Sequence, residues 1–78
     1  MSALDDRVKK IVAETFGADP TRVRVQSSFS DDLGADDLAI QELFASLEAE
    51  FGTKIPAAEA RKITSVRAAI DYLDRHQA

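Results

Sequence analysis

The stretch Asp31-Asp32-Leu33-Gly34-Ala35-Asp36-Asp37-Leu38-Ala39-Ile40, continuing Gln41-Glu42-Leu43-Phe44-Ala45-Ser46-Leu47-Glu48-Ala49-Glu50-Phe51, decides how this chain folds. It holds seven acidic residues and no Lys or Arg, while the segments before and after it carry balances of +1 and +2. The net charge of −4 is therefore concentrated on one element. That element reads as a helix with a marked start. Leu33-Gly34-Ala35 forms the turn leading in, and Asp36 is suited to accept hydrogen bonds from the unpaired N–H groups of the first turn. Asp37 puts a second carboxylate at the positive end of the helix dipole. Ile40, Leu43, Phe44, Leu47 and Phe51 recur at helical spacing as a buried stripe, and Gly52 marks the stop. The pattern predicts a helix over residues 36–51, with its N-terminus as the seat of function.

Upstream, Leu4, Val8, Ile11, Val12 and Phe16 repeat with helical period, and Arg7, Lys9, Lys10 and Glu14 take the wet side. Ser2 with Asp5 resembles a capping box, and Gly17 ends a helix predicted over residues 3–16. Residues 17–35 show no sustained period. Asp19-Pro20 can open a single helical turn, and Val23, Val25, Phe29 and Leu33 are spaced to pin an ordered crossover to the core. Val23-Arg24-Val25 alternates like a strand, but no other stretch reads as its partner. Downstream, Ile55-Pro56 sets up a short helix over 57–61, Ile63 is expected to be buried, and Thr64 is the expected cap of a last helix over 65–75. Val66, Ala69, Ile70 and Leu73 form the core face of that helix, with Tyr72 partly buried and its hydroxyl reaching water. The fold class is all-α: an irregular four-helix bundle, three helices longer and one short, with a long loop between helices 1 and 2.

Seventy-eight residues support one hydrophobic core and hence a single domain over residues 1–78. Apolar residues make up 45% of the chain and charged residues 31%, which is too apolar for a disordered segment. The absence of cysteine removes disulfides, thiolate nucleophiles and Cys-based metal sites, and suits a reducing compartment. Met1-Ser2-Ala3-Leu4-Asp5-Asp6-Arg7 lacks the basic and apolar regions of a signal peptide, and no run approaches the length of a membrane span. A pI near 4.8 opposes nucleic acid as the main partner and favours basic patches on other proteins. The expectation is a cytoplasmic monomer that is not an enzyme.

From end to end the chain resembles the bacterial acyl carrier protein family. The likeness rests on Arg7-Val8-Lys9-Lys10-Ile11, on Asp31-Asp32-Leu33-Gly34-Ala35-Asp36, and on Leu47-Glu48-Ala49-Glu50-Phe51. Ile55-Pro56, Lys62-Ile63-Thr64 and Ala68-Ala69-Ile70-Asp71-Tyr72-Leu73 continue it. No single string is diagnostic, whereas their order and spacing are specific. The resemblance implies a four-helix carrier of fatty-acid or related acyl metabolism. In that family a Leu-Gly-Ala-Asp-Ser-Leu motif opens helix 2, and its serine bears 4'-phosphopantetheine. Here the motif reads Leu33-Gly34-Ala35-Asp36-Asp37-Leu38, and a carboxylate cannot form the stable phosphodiester. No phosphopantetheine is therefore expected at Asp37. Ser27, Ser28, Ser30, Ser46 and Ser65 lack the motif context.

The resemblance further implies a partner face on helix 2, made of Asp36, Leu38, Gln41, Glu42 and Glu48 and read by basic patches of acyl-metabolism enzymes or of another dedicated protein. Lys54 and Arg61, with Ala57 and Ala58, make the third-helix region basic and alter that face. Two readings stay open: a homologue that works unmodified, or an ordinary phosphopantetheine-dependent carrier in which Asp37 has replaced the serine. A divalent-cation-responsive regulator using Asp31-Asp32 and Asp36-Asp37 is the third class. The twelve-residue calcium loop does not fit, because Gly34 at its sixth position would put Phe29 in the first ligand slot. No metal site is expected. Asp37 also has a plain structural role, since an acid in the first turn contributes about 0.3–1 kcal/mol through the dipole. His76, near the C-terminus, is expected on the surface.

Overall fold

The computed structural model describes residues 3–76. Its helices are α1 (Ala3–Phe16), α2 (Asp37–Phe51), the single turn α3 (Ala57–Ala60) and α4 (Val66–His76), with a 3₁₀ turn at Pro20–Arg22. The order and lengths are those the periodicity predicts. Ser2, the expected cap of α1, lies outside the described residues. Val8, Val12 and Ala13 of α1 meet Leu43, Leu47 and Phe51 of α2 and Val66, Ala69, Ile70, Tyr72 and Leu73 of α4 in one core. Leu4, Ile11, Phe16, Ile40 and Phe44 are packed against that core and only partly buried, so the two predicted stripes are wider than their fully buried centres. Arg7 links α1 to the end of α2, donating to Glu50 at 3.0 Å with its guanidinium 4.4 Å from the Phe51 ring centroid.

The crossover between α1 and α2 is ordered by its apolar anchors. Val23 and Phe29 are buried. Phe29 stands edge-on to Phe16 at 5.8 Å and to Phe44 at 6.5 Å between ring centroids, so one loop residue joins α1 to α2. Asp19 caps the 3₁₀ turn, and the Thr21 backbone N–H and then the Thr21 hydroxyl, both donating to Asp19 Oδ1, hold its carboxyl below the usual carboxylate value.

Among the described residues Val23-Arg24-Val25 forms no strand, in keeping with its lack of a partner stretch, and two expectations about α4 are corrected. The segment around Val25 instead serves the start of α4. The first N–H groups of α4 lack intrahelical acceptors, and the crossover supplies them: Val66 N–H donates to Ser27 O at 3.0 Å and Arg67 N–H to Val25 O at 2.8 Å. Phe29 N–H donates to Thr64 O at 3.0 Å, completing a one-bridge antiparallel contact at Ser28 and Ser65. The cap of α4 is therefore Ser65, whose Oγ accepts from Ala68 N–H at 3.2 Å, because Thr64 is held by its carbonyl to Phe29. Tyr72 is buried, and its hydroxyl donates to Lys54 O at 2.8 Å rather than reaching water. That bond pins the segment between α2 and α3 to α4.

Candidate functional site

The head of α2 is built by a turn and a cap. Gly34 adopts φ +67°, a conformation that side-chain-bearing residues rarely take. Ala35 N–H beyond it donates to Phe29 O at 2.8 Å, which fixes the approach to the helix. Asp36 is extended (φ −90°, ψ 178°), and its Oδ1 accepts from Ala39 N–H at 2.8 Å. This is the predicted N-cap, and it consumes one oxygen of that carboxylate. Asp37 is the first helical residue; it is exposed and makes no side-chain hydrogen bond or ion pair among the described residues. Leu38 follows with 65% of its surface exposed, as the exposed large hydrophobe of the described chain. At its other end α2 stops at Gly52, left-handed at φ 62°, whose N–H donates to Glu48 O.

A cavity of about 210 Å³ lies beside Asp37, lined by Phe29, Ile40 and Ile63 and by the polar Ser30, Arg61 and Thr64. Helix 2, the crossover and the α3–α4 segment thus converge on one residue. Arg61 enters this setting from a distant part of the sequence, where it read only as one charge of a basic third-helix region. No local signal ties it to Asp37.

Of the five residues that the resemblance places on the partner face, Asp36, Leu38, Gln41 and Glu42 are exposed. Glu48 is half-buried, and its Oε2 accepts from Ile55 N–H at 2.7 Å, tying α2 to the entry of α3. Its carboxylate therefore has a structural duty that the sequence did not signal. The Asp pairs are likewise divided in their work. Asp32 Oδ2 accepts from Ser28 N–H at 2.7 Å, while Asp31 offers its own N–H to Ser28 Oγ at 3.0 Å. Among the described residues no three His, Cys, Asp or Glu side chains gather as a metal-binding group. His76 stacks on Tyr72 with ring centroids 4.1 Å apart, at the exposed end of α4.

An exposed carboxylate and an exposed Leu stand next to each other at the helix start, a pairing of charge and apolar surface suited to contact with a protein. Asp37 itself does not fit covalent attachment of a phosphopantetheine arm, since it offers no hydroxyl. Ser27 is buried with its Oγ accepting from Arg24 N–H, and the Ser28 and Ser65 hydroxyls accept from backbone N–H groups. Ser30 lines the cavity beside Asp37, and Ser46 is exposed along α2. No helix among the described residues is long and apolar enough to cross a membrane.

A family model described as the phosphopantetheine attachment site matches residues 6–73. The match spans α2, most of α1 and α4, the crossover and the cavity, and so covers every element that positions Asp37. With the four-helix architecture and the long ordered crossover, it shows that the chain belongs to the phosphopantetheine-attachment family of carrier domains.

Proposed function

We propose that this domain acts without the arm, as a cytoplasmic protein-interaction module of fatty-acid or related acyl metabolism, and that α2 is its contact surface. The observation that carries this reading is Asp37: the first residue of α2 is an exposed carboxylate where the family resemblance places the serine. Its fixed charge stands at the helix N-terminus, next to the exposed Leu38. Asp36, Gln41 and Glu42 extend the polar surface along α2. Such a face complements a basic patch with an apolar notch, and charge steers the encounter while Leu38 provides desolvated contact. The domain performs no chemistry of its own.

A second reading is supported by the family match, which includes the attachment site: with Ser at residue 37 the chain would be an ordinary arm-bearing carrier. The two readings share the partner face and differ in its cargo.

The contact surface is tested with the full chain immobilised and exposed to a cell extract, beside Glu42→Lys. Glu42 is exposed and has no structural hydrogen bond among those described, so its reversal leaves the fold intact, as circular dichroism would verify. The expected result is a retained protein set that is released by raised salt and lost with Glu42→Lys. Retention that is equal for both proteins would overturn the α2 reading. Glu48→Lys is a poorer probe, because it also removes the acceptor of Ile55 N–H.

A further inference from the structure

A groove of about 580 Å³ runs between α1 and the crossover, and it shares no residue with the cavity beside Asp37. Lys9 and Lys10 line it from α1 and Arg24 from the crossover, with Asp6 as the acid among its lining residues. In a chain of net charge −4 this is a local inversion of sign. Lys10 and Arg24 are exposed, and neither forms an ion pair among the described residues. Val23, buried, and Val25, half-buried, add an apolar lining between the cations.

The crossover wall of the groove is fixed in place. Arg24 N–H donates to Ser27 Oγ at 3.0 Å on one side of Val25, and Val25 O accepts from Arg67 N–H at 2.8 Å. A ligand would therefore meet a formed surface and spend little free energy on ordering it.

We propose that this groove is a second docking surface, and that it receives an acidic peptide segment of a partner protein. Charge complementarity selects the occupant. Lys10 and Arg24, with no ion pair among the described residues, border an apolar strip and match a short segment in which carboxylates flank one apolar side chain. Nucleic acid fits poorly, because its charge density calls for more cations than line this groove, and the acidity of the whole chain repels it. A lipid surface needs a broad exposed apolar face beside the charges, and here Val23 is buried and Val25 half-buried. The domain would then hold a basic partner on α2 and an acidic one on the α1 groove, joining two proteins of opposite charge. This inference does not depend on whether residue 37 is ever modified.

The test uses the full chain labelled with ¹⁵N, titrated with a synthetic peptide of one Leu flanked by Asp and Glu, and with a control peptide carrying Asn and Gln instead. The expected result is amide shifts confined to residues 6–10 and 21–26 for the acidic peptide alone, weakened by added salt. The double change Lys10→Glu with Arg24→Glu is expected to weaken binding about tenfold or more, while Lys54→Glu, outside the groove, leaves it unchanged. Thermal unfolding checks that each variant folds, and Lys10→Gln with Arg24→Gln replaces the double reversal if it does not. Absence of shifts, shifts centred on α2, or affinity unchanged in the double variant would overturn the proposal. So would a stronger response of the same amides to phosphatidylserine vesicles or single-stranded DNA. The same shifts on concentrating the protein alone would make a second copy the occupant and also overturn it.

Discussion

The crossover and the head of α2 adjoin in sequence and turn their side chains to opposite uses. Between α1 and α2 the chain has little regular structure, yet Val23 and Phe29 are buried, and three backbone N–H···O contacts join it to the start of α4. At the head of α2 the backbone is regular, yet Asp37 and Leu38 face outward, and no side-chain hydrogen bond or ion pair among the described residues holds them. In this domain the irregular segment holds the bundle together, and the regular one offers a surface. On the proposed function, stability and recognition are therefore separable, and substitutions can show how far.

The largest effect is expected at Phe29. Phe29→Ala removes the ring that joins Phe16 to Phe44 and should cost about 3–5 kcal/mol, close to the whole stability of about 5 kcal/mol expected for so small a domain. Urea unfolding followed by circular dichroism measures it, and Leu38→Ala in the same assay should change stability by less than about 0.5 kcal/mol. Equal losses at the two sites would erase the contrast between the regions.

Smaller effects sharpen it. Tyr72→Phe removes the donor to Lys54 O and should cost about 1 kcal/mol, with faster hydrogen exchange in the segment between α2 and α3. Asp36→Ala should cost about 1 kcal/mol through the lost cap, whereas Asp37→Ser should cost less, since only the dipole contribution is exchanged for a hydroxyl. Thermal melts of the two variants distinguish a structural aspartate from a free one.

The smallest effect is a pH dependence at Asp19. Its folded carboxyl is held below the ordinary 3.8 by Thr21, so its contribution is fully present above that value and is lost as pH falls through the folded value. The melting difference between the protein and Asp19→Asn should thus be constant near neutrality and shrink below pH 3.8. A difference that grows in acid would mean that Thr21 does not stabilise the ionised form.

Local signals made much of this legible. The apolar periods of α1, α2 and α4, the Asp19-Pro20 turn and the Asp36 cap follow from neighbours within one or two turns, and the structure places them where the sequence does. What escaped the sequence depends on residues far apart. The crossover carbonyls meet the first N–H groups of α4, Tyr72 finds Lys54, and Glu48 finds Ile55, and no local pattern encodes such meetings. Thr64 and Ser65 are both acceptable caps, and only the contact of Phe29 with the Thr64 carbonyl decides between them. The candidate site divides the same way. The exposure of Asp37 and Leu38 follows from helical phase, whereas Arg61 reaches the cavity that Asp37 also lines through the tertiary fold.

The measurement closest to the central claim is the intact mass of the protein and of Asp37→Ser after incubation with coenzyme A and a broad-specificity phosphopantetheinyl transferase. The expected result is that Asp37→Ser gains the arm and the unaltered protein keeps the mass of its sequence. An arm gained by the unaltered protein would contradict the claim, because another hydroxyl would then be the attachment site and the domain would be a working carrier.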